Sequence, residues 1–224
     1  MAKAITTPKG IAVYPRLTSP DTQYDPDGTY HVKMKFDSDL PAVQALMKKI
    51  DAWYDEAFEE AVTKSVEDET FKTEAVARKK VKRGDKPYVY VEDEEGDDTN
   101  EIIINFKMKA QAKNRKTGEM FALNPKLYGA GNVLLKKDEI PLIYSGSELK
   151  VGYTPVKWYT KQLGASVKLR LEGAKIITLV SGGSDMDFGD DDDDDEGYVP
   201  TKQPQRAPRA ESSEGDDGGD DGDF

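Results

Sequence analysis

The sequence predicts a mainly β protein: an OB-type Greek-key barrel with a helical insertion packed on it, followed by a disordered acidic tail. Several short stretches alternate apolar and polar residues and are separated by turn residues, as half-buried strands are. One stretch, 41–62, instead places apolar residues three and four positions apart, which is typical of a helix. The last forty residues, 185–224, hold sixteen Asp or Glu and three Lys or Arg.

The strong charge difference between the two parts of the chain defines two segments, the body (1–184) and the tail (185–224). The body carries 29 basic and 27 acidic residues, so the net charge of −11 belongs to the tail. The body is long enough for one domain with a core. The absence of cysteine excludes disulfides and thiolate metal sites. Neither a secretion signal nor an apolar run of membrane-spanning length is apparent, so we expect a soluble, cytoplasmic protein with no membrane partner.

The first half of the body should hold two strands, two helices and a third short strand. Residues 3–17 predict a broken first strand, and turns follow at 19–21 and 25–28. The next strand, 30–36, points lysines outward. The pattern then predicts a helix that Ser38 or Asp39 caps and that runs over 41–62, a second helix over 67–80, a strand over 88–91 and an acidic loop over 92–98.

The second half of the body is predicted to contain strands and no helix. Residues 102–110 alternate strictly, and a turn at 116–118 predicts a hairpin that returns over 120–123. Residues 129–132 form an irregular connection. Further strands are predicted over 149–153, 167–171 and 176–180, before a glycine hinge at 182–183.

Cationic side chains recur on the outward positions of four predicted strands. The pairs are Lys33 with Lys35, Lys107 with Lys109, and Lys168 with Arg170, and Lys150 stands alone. One interpretation is a groove that follows a phosphodiester backbone; the other is that the outer faces of half-buried strands simply tolerate lysine. Because acidic residues are concentrated in the 92–98 loop and the tail, we favour the groove, with Lys113 and Arg115 on the hairpin loop beside it.

Two adjacent aromatics, Trp158 and Tyr159, are flanked by Lys157 and Lys161 and are predicted to lie between strands. Aromatic rings interleaved with cations suit single-stranded nucleic acid, whose unpaired bases expose π faces. The alternative is that the rings fold into the core; we expect at least one to be exposed. Tyr128, Tyr144 and Tyr153 are expected in the core.

No enzymatic chemistry is indicated. His31 is the only histidine, and it lies among lysines on a predicted strand. The segment 129–131 lacks the Lys-Ser/Thr of a phosphate-binding loop. Body carboxylates show no spacing that suggests a two-metal site, so we expect no enzyme activity, no cofactor and no metal.

Four segments together resemble the single-stranded DNA-binding proteins of tailed phages. They are Met1-Ala-Lys3, Lys157-Trp-Tyr159, Gly164-Ala-Ser-Val-Lys-Leu-Arg-Leu-Glu172 and the terminal Asp223-Phe224. The resemblance implies an OB barrel that coats single strands during phage DNA replication and recombination in the infected bacterial cell. It also implies homodimers and a tail that recruits the replicative DNA polymerase and the helicase–primase. By matching positions it implies DNA contacts at Lys3, Lys109 and the Trp158/Tyr159 pair.

The residues expected to bind DNA come from these two sources together. They are Lys3, Lys33, Lys35, Lys107, Lys109, Lys113, Arg115, Lys150, Lys157, Trp158, Tyr159, Lys161, Lys168 and Arg170. Partner binding is expected at the tail end, where an aromatic ring beside a free carboxylate suits an apolar pocket rimmed by cations; these residues are Asp220, Asp221, Asp223 and Phe224.

The tail leaves more than one role open. It could imitate a DNA strand and compete for the groove, or it could serve only solubility. The competing class of function is an acidic protein-binding factor, a chaperone for basic partners or a DNA mimic, which would need the tail but not the basic strands. Stacking and phosphate contacts serve DNA and RNA alike, so the sequence does not choose between them.

Overall fold

The computed structural model describes residues 4–114 and 116–180. The predictions for Lys3, Arg115 and the tail, including Phe224, lie outside these residues. Within them the chain forms ten strands, two α-helices and one 3-10 turn (Ala130–Asn132). The strands are β1 (Ile5–Thr6), β2 (Gly10–Asp21), β3 (Thr29–Asp37), β4 (Tyr88–Glu92), β5 (Asp98–Lys109), β6 (Gln111–Lys113), β7 (Met120–Ala122), β8 (Lys126–Tyr128), β9 (Glu148–Thr160) and β10 (Gly164–Thr178), and the helices are α1 (Pro41–Glu67) and α2 (Glu74–Lys80).

Five of the strands close a ring in the order β2, β3, β5, β10, β9 and back to β2. All neighbours in the ring are antiparallel except β5 and β10, which are parallel. A five-stranded Greek-key ring of this kind is the OB fold, so the predicted fold class is confirmed. The short strands β1, β4 and β8 extend the ring at β9, β5 and β10 respectively.

The inside of the ring is filled by the apolar positions of the alternating strands. Val32, Met34, Ile104, Phe106 and Tyr153 are among the side chains with no more than traces of exposed surface. Burying side chains of this size stabilises the fold by about 1.5–3 kcal/mol each. The residues between them face outward by the period-two rule, and this places the lysines of β3, β5 and β10 on the outer surface.

Helix α1 packs its apolar face on β9 and β10. The prediction of its start was partly wrong, because Leu40 rather than Ser38 or Asp39 occupies the N-cap and no side chain caps it. The prediction of a second helix over 67–80 was right in its end at Lys80 but wrong in its start. Helix α1 continues to Glu67, Glu69 takes a left-handed φ of 53° that ends it, and α2 begins only at Glu74.

Three strands are longer than the sequence predicted. The segment 3–17 holds two strands rather than one broken strand, and β2 runs through the turn expected at 19–21. The stretches 167–171 and 176–180 contribute to one strand, β10, which changes register between Leu171 and Gly173. Strand β9 continues to Thr160, so Trp158 and Tyr159 lie within a strand and not between strands. The turns at 25–28 and 116–118 are confirmed, with positive φ at Gly28 and Gly118.

Candidate nucleic-acid interface

A groove of about 690 Å³ lies on the outer face of β5, β10 and β9. Its cationic side comes from β5 and β10, where Lys107, Lys109, Lys168 and Arg170 point away from the core. Its apolar side comes from β9, which contributes Trp158 together with Val156. The groove therefore joins charges that suit phosphates to a ring that suits a base.

Backbone register extends this surface across the sheet. Arg170 of β10 is the Cα partner of Lys107 on β5, Lys107 is the partner of His31 on β3, and His31 is the partner of Arg16 on β2. Directly paired residues share a face of the sheet. These four residues, the transverse row, thus form a line of basic side chains across four adjacent strands, roughly perpendicular to them.

Trp158 is half-buried, and its ring is paired with a cation. The Lys168 Nζ lies 4.6 Å from the ring centroid, within cation–π range. The indole Nε1 is buried without a hydrogen-bond partner among the described residues. The expectation that at least one of the two aromatics is exposed is met only in part, because both Trp158 and Tyr159 are partly buried.

The cations of the groove and of the adjoining strand β3, which carries Lys33 and Lys35, differ in how far carboxylates neutralise them. In the described part of the chain, Lys33, Lys107 and Lys168 have no carboxylate within 4 Å. Lys35 is paired with Glu101 at 2.8 Å, Arg170 with Glu172 at 2.7 Å, and Lys109 lies 3.9 Å from Asp25. The first three are therefore the charges most available to an anionic ligand.

The structure places Lys157 and Tyr159 on the opposite side of β9 from Trp158. Lys157 forms ion pairs with Glu60 and with Glu56 of α1, and these hydrogen bonds raise the pKa of its ammonium. Tyr159 packs against the cluster between the helices and β10 that includes Val62 and Ala165. Neither side chain lines the groove. Lys161 does not line it either, and it is exposed in the turn that joins β9 to β10.

Lys150 lies on the same outer face of β9 as Trp158 but eight residues away, which is about 26 Å along a strand. It lines a separate cleft of about 700 Å³ with Lys126 and Lys175. Lys113 is exposed on the β6–β7 hairpin. The structure therefore gathers Lys107, Lys109, Trp158, Lys168 and Arg170 in the groove, with Lys33 and Lys35 on the adjoining strand, and leaves Lys150 and Lys113 apart from it.

The basic cluster that follows α1 is tied to that helix. Arg78 binds Glu59 and Glu74, and these hydrogen bonds raise its pKa. Arg83 pairs with Asp55 at 2.7 Å and lies 4.3 Å from the Phe58 ring centroid.

Lys86 continues the same pattern, pairing with Asp51 at 2.7 Å and donating to the hydroxyl of Tyr88. The bond to Asp51 is the main reason that its pKa is raised. Three of the basic residues between the helix and β4 therefore fasten α1 to the segment that follows it.

Sequence reasoning missed Arg16 and Asn105, and it placed His31 among lysines on a strand without assigning it a part in binding. Asn105 lines the groove, and Arg16 and His31 belong to the transverse row. No local pattern marks them, because their position depends on how β2, β3 and β5 are paired. The expectation for Tyr144 was wrong: Tyr153 is fully buried, but 41% of Tyr144 is exposed.

Within residues 4–114 and 116–180, no group of three or more His, Cys, Asp or Glu side chains is placed to hold a metal ion. No helix in that part of the chain has the length and apolar character needed to cross a membrane.

The fold and the groove define the class of this protein. In OB folds the face of the second and third barrel strands and two loops at its edge bind oligonucleotides or oligosaccharides. Here those strands are β3 and β5, and their outward lysines favour the oligonucleotide.

Comparison with known proteins agrees. A family model described as "Single-stranded DNA-binding protein, Bacteriophage T7" matches residues 9–179. The single-stranded DNA-binding protein of Escherichia phage T7 is 33% identical over 181 residues, which cover 78% of this chain and 72% of the relative. That of Enterobacteria phage T3 is 32% identical over 224 residues, covering 93% and 90%.

The crystal structure of gp2.5, a single-stranded DNA-binding protein encoded by bacteriophage T7, superposes with a TM-score of 0.67 at 27% identity. The match covers 89% of this chain and 100% of that one. This chain belongs to the T7-type family of phage single-stranded DNA-binding proteins.

Proposed function

We propose that this chain binds single-stranded DNA without sequence preference along the groove and the transverse row. The family supports binding of single-stranded DNA, since the relatives bear that name. The transverse row carries the finer proposal, because it runs from β10, the strand beside β9 and its Trp158, across to β2 and gives a path for a phosphate backbone.

The two kinds of side chain act on different parts of the nucleotide. Lys33, Lys107 and Lys168 neutralise phosphates and release condensed counterions, which provides sequence-independent affinity. The Trp158 ring stacks on a base, a contact that every base can make. In this mechanism the Lys168 ammonium leaves the ring for a phosphate when a base takes its place.

The test of this function compares ligands and one groove variant. Fluorescence anisotropy of labelled oligo-dT, of a mixed-sequence single strand and of a duplex should give similar affinities for the two single strands and a weaker one for the duplex. The triple variant Lys33→Gln, Lys107→Gln, Lys168→Gln should bind single strands with a much shallower salt dependence. Wild-type binding by this variant, with its unfolding midpoint unchanged, would reject the groove.

The roles of the tail extend the proposal beyond the body. With sixteen acidic and three basic residues among its forty, the tail competes with DNA for the cations of the groove. The end of the tail recruits the replicative polymerase and the helicase–primase through Asp220, Asp221, Asp223 and Phe224. The protein acts as a homodimer in replication and recombination.

Deleting residues 185–224 tests the tail separately from the groove. The shortened chain should bind oligo-dT more tightly than the full chain, and most clearly at low salt, because the competition is electrostatic. It should also lose binding to the polymerase in a pull-down with purified proteins. Equal affinity at every salt concentration would contradict the competition, and retained pull-down would contradict recruitment by the tail.

A further inference from the structure

A small cleft of about 320 Å³ lies at the β2 end of the transverse row. Its lining includes Arg16 and His31, the last two residues of the row, together with Tyr14 and Tyr144. The groove described above does not include any of these four residues. The row therefore ends at a second aromatic site. At its other end Arg170 is the Cα partner of Thr154 on β9, and Trp158 lies four residues further along that strand.

Tyr14 stands in an unusual backbone conformation. Its φ is +48°, in the left-handed region that bulky residues rarely occupy. It falls where β2 and β3 change register between Val13 and Arg16, which marks a β-bulge. Bulges are a common way to redirect a side chain beside a functional surface. Here the result is a Tyr14 side chain that is 72% exposed.

A hydrogen bond holds the two tyrosines near each other. The Tyr14 backbone N–H donates to the Ser145 hydroxyl at 2.9 Å, and Ser145 directly follows Tyr144 in the chain. The loop is fixed further by β2 itself, since the Gly146 N–H donates to the Ala12 carbonyl at 2.9 Å. The loop that carries Tyr144 is thus hydrogen-bonded to β2 at Tyr14 and at Ala12.

Tyr14 and Tyr144 do not contribute to the hydrophobic core, so core packing does not account for aromatic residues at these positions. Tyr14 is 72% exposed and Tyr144 is 41% exposed, and neither belongs to a hydrophobic cluster of the described residues. Exposed aromatic faces beside an arginine and a histidine are the arrangement on which unpaired bases stack. The acidic residue of the cleft, Asp21, lies 3.4 Å from His31 and leaves Arg16 without a carboxylate within 4 Å in the described residues.

We propose that Tyr14 and Tyr144 form a second base-stacking subsite, which takes a nucleotide at the far end of a strand that crosses the sheet along the transverse row. The row and Trp158 span β9, β10, β5, β3 and β2, so four strand spacings separate the two sites by about 19 Å across the sheet, and Trp158 lies a further four residues, about 13 Å, along β9 from the line of the row. A strand must be long enough to cover that distance before it reaches the tyrosines. The inference rests on the proposed binding of single-stranded DNA in the groove.

The test uses the full chain and two lengths of oligo-dT, about 4 and about 12 nucleotides. Binding is read from the quenching of Trp158 in a Trp53→Phe background, so the signal comes from the groove. The double variant Tyr14→Leu, Tyr144→Leu keeps apolar side chains and removes the aromatic faces. It should bind the longer oligonucleotide at least about fivefold more weakly, since stacking on one base is commonly worth that much or more. It should bind the shorter one as the parent does.

Three controls make the outcome specific. The variant Tyr14→Phe, Tyr144→Phe should retain parental affinity for the longer strand, because it keeps both rings. Tyr90→Leu removes a ring on β4, away from the row, that is as exposed (42%) as Tyr144, and this variant should bind both lengths normally. Urea unfolding midpoints identify any variant whose fold is weakened. If the Leu variant is weakened, the Phe variant decides whether the tyrosines bind DNA, because it removes the hydroxyls and keeps the aromatic faces.

The results separate this inference from the function beneath it. If the Leu variant binds the longer strand as tightly as its parent while the Lys33, Lys107, Lys168 triple variant loses binding, only the second subsite is wrong. If the triple variant also binds normally, the groove itself is wrong. If the Leu variant retains DNA affinity but changes its sedimentation behaviour, the tyrosines form a protein–protein contact and the subsite is overturned.

Discussion

Lys107 occupies the middle of the transverse row, and no carboxylate of the described residues lies within 4 Å of it. Lys107→Gln removes one charge and keeps a side chain of similar length. Each phosphate neutralised on a single strand contributes about 0.7 to the slope of log affinity against log salt concentration. One contact is thus worth a factor of about five, or about 1 kcal/mol, at roughly 0.1 M salt, and almost nothing near 1 M.

The expected result is therefore a change of slope and not merely weaker binding. Lys107→Gln should bind labelled oligo-dT about fivefold more weakly at about 0.1 M salt, with a slope shallower by about 0.7. The assay is fluorescence anisotropy at several salt concentrations between about 0.05 and 0.5 M.

Lys157→Gln is the matched control, because Lys157 is paired with Glu56 and Glu60 on the other side of β9. It should keep the wild-type slope. If the two variants change the slope equally, net charge rather than the position of the groove determines binding. A wild-type slope in Lys107→Gln would remove Lys107 from the DNA path.

Two further predictions concern stability, measured by urea unfolding. A Cβ on Gly173 would lie 2.2 Å from the Lys126 carbonyl oxygen, so Gly173→Ala should lower the free energy of unfolding by about 1–3 kcal/mol by forcing β8 from β10. The control is Gly152→Ala, where the nearest atom to a Cβ would lie at 3.7 Å, and it should lower the free energy of unfolding by less than about 1 kcal/mol. The buried Tyr153 hydroxyl has no partner among the described residues, so Tyr153→Phe should leave stability at pH 7 equal or higher. Burial raises the pKa of Tyr153 to about 12, so the folded protein holds a proton that the unfolded chain releases above about pH 10. Wild-type stability should therefore fall between about pH 10 and 12 more steeply than that of Tyr153→Phe, and parallel curves would contradict this.

The parts of the fold that the sequence predicted are those that depend on local periodicity. Alternation along β3 and β5 identified both the core positions and the outward lysines, and the spacing of apolar residues located α1. The turn chemistry at Gly28 and Gly118 was equally local. The short strands with turn residues between them and the helical insertion also predicted the OB architecture, and the resemblance added the family.

What the sequence could not predict depends on long-range pairing. The sequence placed Trp158 between strands, but Pro155 pairs in register with Leu169 and β9 continues through it. Once β9 is known to reach Thr160, alternation alone puts Lys157 and Trp158 on opposite sides. The joining of Arg16 and His31 to Lys107 and Arg170 requires three separate strand registers, and no local pattern contains them.

The two tryptophans allow the most direct test that bases stack in the groove. Trp53 lies on α1, packed edge-on against Tyr153 with ring centroids 6.4 Å apart, while Trp158 lines the groove. Oligo-dT should quench the fluorescence of Trp53→Phe, in which Trp158 is the remaining tryptophan, with the same salt dependence as DNA binding. It should leave the fluorescence of Trp158→Phe almost unchanged. Quenching that persists in Trp158→Phe and disappears in Trp53→Phe would contradict stacking at Trp158 and place the bound strand elsewhere on the molecule.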